Sequence, residues 1–186
     1  KYFSSDPNGH TFAIDLVKQI ELLNRGHYIE DDIDGGVNTD FCIGVAGYPE
    51  KHLESPSLLS DLRRLKEKVD AGADYVVTQM FFDNEKFYAF VKACREHGIT
   101  VPIIPGLKPI YSINQLTLLP KVFHIDIPKE LSKEIINCKT DEAVEQVRAE
   151  WLLYQSHELR KFGVPILHYY TLGRPHIVGN VVKQLL

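Results

Sequence analysis

The stretch that decides the fold runs from Phe41 to Gln79 and reads FCIGVAGYPEKHLESPSLLSDLRRLKEKVDAGADYVVTQ. Its first residues, Phe41 to Ala46, form a nearly continuous apolar run, which is typical of a parallel strand buried on both faces. Apolar residues then recur at helical spacing from Ser57 to Val69, with charged residues on the other face. A second apolar run, Tyr75 to Thr78, follows a short turn. The pattern predicts a strand–helix–strand unit with parallel strands.

The loop that leaves the first predicted strand, Gly47 to Ser55, carries side chains suited to a ligand. In parallel α/β proteins, ligands bind at the carboxyl ends of the strands. Tyr48 and His52 could stack on or hydrogen-bond to a planar cofactor, and Lys51 could contact a phosphate. The same residues would also be ordinary in a polar surface loop, so the pattern leaves both interpretations open.

Strand and helix patterns alternate along the rest of the chain. We expect helices over Phe12–Leu23, Asn84–His97, Ile113–Val122, Pro128–Ile136, Thr140–Phe162 and Arg174–Leu186, and strands over Val101–Ile104 and Ile166–Tyr169. Thr11 is a candidate N-cap for the first helix. Residues 24–40 hold three glycines and an acidic cluster, which predicts a surface insertion. Four strands alternating with helices indicate a parallel sheet, either half of a (β/α)8 barrel or a doubly wound open sheet.

The composition is that of one globular domain. The 186 residues are 44% hydrophobic, and the net charge of −4 gives no support for a nucleic-acid partner. No apolar run reaches the roughly 20 residues that a bilayer span requires, so no membrane partner is expected. Three widely spaced cysteines favour neither a disulfide framework nor a metal site and are typical of a reducing, cytoplasmic setting. Because the chain begins with Lys1, we expect a processed product or a fragment.

Two later segments place polar and aromatic residues at predicted strand ends. Gln79 ends the strand that starts at Tyr75, and its amide could bond to a ring with amide and amino edges or simply to backbone. Tyr170 and Arg174 lie in HYYTLGR, after the last strand. A tyrosine beside a guanidinium suits a ligand with an aromatic ring and carboxylates. The alternative is a buried aromatic strand end next to a surface arginine.

Three motifs in this order, VAGYPEKHLES, DAGADYVVTQMFFD and HYYTLGR, resemble methylenetetrahydrofolate reductase, a family of flavoproteins. The resemblance runs from about Phe12 to the C-terminus. It implies an α/β fold of the (β/α)8 TIM-barrel type, of which this chain covers roughly the second half, about strands 5–8. Residues 1–186 would then be a single partial catalytic domain.

The resemblance also implies roles for individual residues. Positions that bind FAD in the family match Phe12, Ala13, Tyr48, His52, Leu53, Glu54, Ser55, Asp61 and Lys68. Positions that contact the folate substrate match Gln79, Tyr170 and Arg174. The chain departs from the family where HLES replaces HPEA and where Gly173 replaces an asparagine. The family's general-acid glutamate is expected in an N-terminal half outside this sequence, so no catalytic residue is assigned here, and no metal ligand.

The activity implied by the resemblance is reduction of 5,10-methylenetetrahydrofolate to 5-methyltetrahydrofolate, with FAD as cofactor and NADH or NADPH as reductant. The full-length protein is expected to be a homo-oligomer, and the chain alone to be catalytically impaired. Two alternatives stay open. One is another flavin-dependent barrel oxidoreductase, such as a proline dehydrogenase relative; the other is a non-catalytic nucleotide-binding half-barrel.

Overall fold

The computed structural model describes Asp6, residues 9–28 and residues 35–186, and within these it contains seven helices and five short strands. The helices are α1 (Ala13–Asn24), α2 (Leu58–Asp70), α3 (Asn84–Glu96), α4 (Gln115–Phe123), α5 (Lys129–Asn137), α6 (Asp141–Lys161) and α7 (His176–Leu185). The strands are β1 (Gly44–Gly47), β2 (Tyr75–Thr78), β3 (Ile103–Ile104), β4 (Gly106–Leu107) and β5 (His168–Tyr169). The predicted strand–helix–strand unit is therefore confirmed as β1–α2–β2.

All pairings among these strands are parallel. β1, β2 and β3 lie side by side in chain order, and β4 pairs with β5. Only Pro105 separates β3 from β4, and its carbonyl accepts a hydrogen bond from the His168 N–H at 3.0 Å. One extended segment thus pairs with β2 through its first half and with β5 through its second. Because proline has no N–H to donate to a ladder, it fits where the segment changes partner.

The strand boundaries differ from the prediction at several points. β1 begins at Gly44 rather than Phe41, because the Asp74 carboxylate accepts the Ile43 N–H at 2.6 Å. β3 begins later than predicted, and β5 starts at His168, two residues after the predicted start. β4 was not predicted as a separate strand, since two residues give no periodicity to read.

The boundaries of the first helix and of the connection after it also differ from the prediction. The N-cap of α1 is Phe12 and not Thr11, because the Asp15 carboxylate accepts the Phe12 N–H at 3.1 Å. α1 continues to Asn24, whose side-chain oxygen and amide bond to the N–H and carbonyl of Phe41. Asn24 is thus part of a helix rather than of the predicted insertion, and residues 29–34 of that insertion lie outside the described residues.

Two apolar cores meet where β2 ends. Phe81 is fully buried in the core that β1, β2, α2, α3, α6 and α7 share, and Phe82 is buried in a second core with residues of α4 and α5. Helix α6 contributes to both cores, Leu159 to the first and Val144 to the second. None of the helices in the described ranges is apolar over a length that could span a membrane.

Close packing at the carboxyl end of β1 requires glycine. A Cβ on Gly47 would lie 2.7 Å from Cγ1 of Val76 and 2.9 Å from Cζ of Phe90, both shorter than van der Waals contact. The strand therefore ends directly against β2 and α3. This contact fixes where the loop that follows Gly47 leaves the sheet.

Candidate cofactor and substrate site

A cavity of about 360 Å³ lies between the start of α1, the end of β1 and the exposed face of α2. It is lined by seven of the nine residues predicted to bind a flavin, namely Phe12, Ala13, Tyr48, His52, Glu54, Asp61 and Lys68. Its volume is within the range of about 300–1,000 Å³ that small-molecule sites occupy. Residues far apart in the sequence are thus brought to one surface.

The other two residues of that predicted set do not line the cavity. Leu53 is 51% exposed, and Ser55 is buried, with its hydroxyl donating to the Ser57 carbonyl at 3.1 Å and its N–H donating to the His52 carbonyl. Ser55 therefore shapes the turn into α2. For these two residues the side-chain geometry does not support the contact that the resemblance implied.

The loop after β1 is held in shape by its own charged residue. Lys51 has φ +89°, and its ammonium donates to the carbonyls of His52 and Ser55 at 3.1 and 2.7 Å. These bonds turn the side chain back onto the loop. The prediction that Lys51 meets a phosphate is not supported by this geometry.

Glu50 fastens the same loop to the rest of the protein. Its carboxylate accepts the Asp126 N–H at 3.0 Å and lies 3.7 Å from the Lys86 ammonium, and its side chain is only 7% exposed. The second carboxylate oxygen, Oε1, is buried and has no hydrogen-bond partner among the described residues. Burial raises the pKa of Glu50 above its ordinary value, although the Asp126 N–H and Lys86 favour the charged form.

Tyr48 and His52 form an aromatic corner at the cavity. Their ring centroids are 4.6 Å apart in an edge-to-face arrangement. The Glu54 N–H donates to Nδ1 of His52 at 3.2 Å, which requires Nδ1 to be unprotonated and leaves Nε2–H as a donor. Burial, and then the nearby Asp61 carboxylate, raise the pKa of the Tyr48 phenol, so it remains a neutral donor. The corner offers an aromatic surface and two hydrogen-bond donors.

Helix α2 supplies charges to the cavity at helical spacing. Asp61 accepts the His52 N–H and so ties the loop to the helix, while Lys68 donates to the Ala46 carbonyl at 2.8 Å. Burial lowers the pKa of Lys68. Arg64 lines the same cavity but was not singled out from the sequence as a ligand residue. Its spacing from Asp61 and Lys68 on one helix face was the signal that could have found it.

Two of the residues predicted to contact folate, Gln79 and Tyr170, lie at the carboxyl ends of β2 and β5, the strands on either side of the β3–Pro105–β4 segment. Gln79 directly follows β2, and its N–H donates to the Gly47 carbonyl at 2.8 Å. Its side-chain oxygen accepts the Met80 N–H at 3.0 Å, so the backbone alternative holds for that oxygen. Tyr170 directly follows β5, and its hydroxyl donates to the Thr78 carbonyl at 2.9 Å.

Glycine lets Tyr170 approach the end of β2. A Cβ on Gly106 would lie 2.2 Å from the Thr78 carbonyl oxygen and 2.7 Å from the Tyr170 ring. The Tyr170 side chain and the carboxyl end of β2 are therefore in direct contact.

Arg174 lies apart from the aromatic corner, on the ring of Tyr111. Its guanidinium carbon is 5.6 Å from the ring centroid, and the Lys108 ammonium is 4.9 Å from the same centroid. Arg174 is exposed, whereas Lys108 is only 3% exposed. Neither Lys108 nor Tyr111 was identified from the sequence as a site residue. A lysine that directly follows a two-residue strand gave no pattern to detect.

These features define a class of protein. Parallel strands alternating with helices, with an aromatic and cationic cavity at the carboxyl ends, are typical of TIM-barrel-type proteins that bind a cofactor. The sequence profile described as Methylenetetrahydrofolate reductase matches residues 1–186. The chain belongs to the methylenetetrahydrofolate reductase family.

Relatives in several eukaryotes support the assignment. The chain is 40% identical over 147 residues to the Probable methylenetetrahydrofolate reductase (NADPH) of Caenorhabditis elegans, covering 78% of this chain and 22% of the relative. It is 35% identical over 179 residues to Methylenetetrahydrofolate reductase 1 of Schizosaccharomyces pombe, covering 96% and 28%. It is 40% identical over 175 residues to Methylenetetrahydrofolate reductase (NADH) 1 of Arabidopsis thaliana, covering 89% and 27%. The chain thus spans about a quarter of each relative.

A solved structure supports the fold. An uncharacterized protein from Clostridium thermocellum, described as binding two copies of 5-methyl-5,6,7,8-tetrahydrofolic acid, aligns with a TM-score of 0.51 and 21% identity. The alignment covers 81% of this chain and 56% of that protein. At this identity the similarity concerns the fold alone.

Proposed function

We propose that this chain is the cofactor- and folate-binding part of an enzyme that reduces 5,10-methylenetetrahydrofolate to 5-methyltetrahydrofolate, with FAD as cofactor and NADH or NADPH as reductant. The observation that carries the proposal is the cavity lined by seven residues that the family resemblance had assigned to FAD. These residues come from α1, the loop after β1 and α2. Family membership and the names of the relatives support the same activity.

The chemistry of the cavity fits a flavin dinucleotide. Tyr48 and His52 would offer an aromatic contact and donors to a planar ring, and Arg64 and Lys68 would offer positive charge to a diphosphate. An anion near Lys68 would favour its charged form, against the burial that lowers its pKa. FAD, when bound, would supply the hydride chemistry, while these residues bind and orient it.

The strand ends beside the cavity suit the folate substrate. Gln79 would present its amide NH₂ group, since its oxygen is already bonded, and Tyr170 would present an aromatic face whose hydroxyl is fixed on the Thr78 carbonyl. No general acid is assigned in this chain. Glu50 is tied to Asp126 and Lys86, and Glu54 lies on the cofactor loop, so neither is proposed for that role.

The sheet also supports a partial barrel. The described residues hold five short parallel strands in a three-stranded and a two-stranded sheet joined through the β3–Pro105–β4 segment, which gives four strand positions, and a closed (β/α)8 barrel needs eight. We infer that the chain forms roughly the second half and that other chain segments complete it, in the same polypeptide or in an oligomer. The free cysteines Cys42, Cys94 and Cys138 suit a reducing compartment such as the cytoplasm.

The test is a flavin spectrum of the purified chain, alone and mixed with the N-terminal half of a related reductase. We expect bound FAD that NAD(P)H bleaches and that methylenetetrahydrofolate reoxidises only in the mixture. Bleaching of the bound flavin by proline instead of NAD(P)H would favour a proline dehydrogenase relative, and bound FAD without turnover would favour a non-catalytic half-barrel. Absence of flavin in both samples would refute the cofactor assignment.

Two matched variants on α2 sharpen the test. Lys68→Met removes a cation that lines the cavity, and it should weaken FAD binding about tenfold, as expected for loss of one charge-assisted contact to a phosphate. Lys66→Met removes a lysine that pairs with Asp70 on another face of the same helix. This control should bind FAD like the original protein. Equal affinities in both variants would show that the cavity is not the phosphate site.

A further inference from the structure

One carboxylate oxygen on the cofactor loop, residues 47–55, is buried without a hydrogen-bond partner. It is Oε1 of Glu50, and no other carboxylate oxygen in the described ranges has this property. Lys108 is likewise covered by packing, but its ammonium donates to the Pro109 carbonyl and to Oε1 of Gln115 at 3.1 and 3.0 Å. A buried polar atom that makes no bond costs free energy. The charged form of Glu50 is therefore poorly satisfied in its position.

The cofactor loop separates two recesses of the surface. Tyr48 and His52 line the cavity of about 360 Å³ that is proposed for the flavin. Pro49 and Glu50, which lie between them in the sequence, line a second recess of about 470 Å³ together with residues of α3 and of the segment 124–126. Neighbouring loop residues therefore face opposite sides. A displacement of Glu50 would also displace the aromatic corner.

Two hydrogen bonds fix the middle of the loop to other elements, one on each side. Toward α2, the Asp61 carboxylate accepts the His52 N–H. Toward the second recess, the Glu50 carboxylate accepts the Asp126 N–H at 3.0 Å. The Lys86 ammonium lies 3.7 Å from the Glu50 carboxylate and 3.2 Å from the Asp126 carboxylate. Because the Glu50 side chain is only 7% exposed, this second attachment keeps a carboxyl group out of water.

The surroundings of Glu50 suit an uncharged carboxyl group. When Glu50 and Asp126 are both ionised, two negative charges face the single positive charge of Lys86, and His124 lines the same recess. Burial raises the pKa of Glu50 and the Asp126 carboxylate adds to this, whereas the Asp126 N–H and Lys86 act in the opposite direction. A protonated Glu50 still accepts the Asp126 N–H, and it gains a proton to donate to the Asp126 carboxylate.

We propose that Glu50 is a positioning residue for the flavin site, whose uncharged carboxyl holds the cofactor loop closed and whose ionised carboxylate favours opening of the loop. In the open state the carboxylate reaches water, and Tyr48 and His52 move away from the flavin. The contact with flavin rests on the proposed function. The attachment of the loop through Glu50 does not, because it exists whether or not flavin binds.

An attachment that worked through charge would behave in the opposite way. If the ion pair with Lys86 held the loop, removal of the negative charge would loosen it. Glu50→Gln separates the two cases. Glutamine keeps an acceptor for the Asp126 N–H, can donate to the Asp126 carboxylate and has no charge to bury, so it imitates the protonated acid. Glu50→Ala removes the acceptor and leaves the Asp126 N–H unpaired.

Hydrogen exchange of the loop amides at pH 7 is the first measurement. The N–H groups of Lys51, His52 and Ser55 are hydrogen-bonded in the closed loop and report its opening. We expect Glu50→Gln to slow their exchange severalfold and Glu50→Ala to accelerate it about tenfold, as expected for loss of a buried hydrogen bond. Exchange rates that do not change at low urea concentrations identify local opening rather than global unfolding.

A matched control removes a carboxylate charge elsewhere. Glu158 pairs with Lys161 on α6 at 2.7 Å, and neither residue lies on the cofactor loop. Glu158→Gln should leave the exchange of the loop amides unchanged. Circular dichroism establishes that each variant is folded, and Glu50→Gln alone decides the outcome if Glu50→Ala does not fold.

The pH dependence of FAD dissociation, followed by flavin fluorescence, is the second measurement. Opening exposes Glu50, so its pKa falls to the ordinary value of 4.5 from the higher value of the closed loop. The closed state should therefore lose stability as the pH rises above about 4.5, and FAD should dissociate faster. Glu50→Gln should dissociate FAD more slowly and lack this rise. Lys86, Asp126 and His124, which face Glu50, are the same in both proteins.

Each outcome decides between the alternatives. Faster exchange of the loop amides in Glu50→Gln than in the original protein would overturn the proposal in favour of an attachment through charge. Equal exchange in the two proteins would show that Glu50 does not position the loop. If the amides respond as expected but the chain binds no FAD, the attachment stands and the proposed function fails. If FAD binds but dissociates equally from all variants, the link between Glu50 and the flavin is refuted.

Discussion

The buried charge of Lys108 makes the stability of this protein depend on pH in an unusual direction. Its pKa is about 8 in the folded protein, against an ordinary 10.5. At about 1.4 kcal/mol for each tenfold change, the charged lysine costs roughly 3 kcal/mol more in the folded than in the unfolded chain. Between about pH 8 and 10.5, Lys108 is protonated in a larger fraction of the unfolded chains than of the folded ones. The free energy of unfolding should therefore rise with pH over this range.

Lys108→Met removes this group while keeping a chain of similar length. The difference in unfolding free energy, original protein minus variant, should be constant below about pH 8. It should then increase by roughly 3 kcal/mol as the pH approaches 10.5. The groups that face Lys108, namely Tyr111, Arg174 and Arg148, are the same in both proteins, so their titration largely cancels.

Urea unfolding of the two proteins at several pH values provides the measurement. The variant should be the more stable protein at pH 7 if the cost of the buried charge exceeds the value of its two hydrogen bonds. The slope above pH 8 does not depend on that balance. A difference that stays flat from pH 7 to about pH 10 would refute the claim that Lys108 is charged in a poorly solvated site.

Substitutions at Gly47, Glu50 and Leu172 would each perturb one local feature of the structure. Gly47→Ala should lower the free energy of unfolding by about 1–3 kcal/mol, because the new Cβ would clash with β2 and α3. Gly179→Ala is the control: a Cβ built there has no tertiary neighbour within 4 Å, so this variant should be neutral or stabilising in the same urea assay. Glu50→Gln should gain stability relative to the original protein as the pH rises above about 4.5, because burial raises the pKa of Glu50 and its charged form is disfavoured; parallel acid-range unfolding curves would contradict this. Leu172→Gly should raise the melting temperature by relieving about 1 kcal/mol of strain at φ +47°, and a lowered melting temperature would show that unfolded-chain entropy outweighs it.

Local signals in the sequence predicted much of the fold. The apolar runs and helical spacing between Phe41 and Gln79 identified β1, α2 and β2, because strand and helix periods differ enough to be read from one sequence. The same reasoning failed at β4, where the segment changes partner across Pro105. A two-residue strand is defined by its neighbours and has no pattern of its own.

The residues of the candidate site were likewise predicted only in part from the sequence. The loop after β1 was recognised because its aromatic, basic and acidic residues follow a strand, and family motifs added α1 and α2. Leu53 and Ser55 do not line the cavity, since a motif match does not say which way each side chain of a loop faces. Arg64 was overlooked although its helical spacing was visible.

By itself, the sequence determined the alternation of strands and helices, the family, and the loop that carries Tyr48 and His52, because each depends on residues close together in the chain. Only the tertiary structure decided that Lys108, Tyr111 and Arg174 meet, across more than sixty residues. Their proximity follows from the pairing of β4 with β5, and such pairing depends on backbone hydrogen bonds that every sequence can make. The burial that lowers the pKa of Lys108 likewise arises from packing against distant segments, which no local pattern encodes.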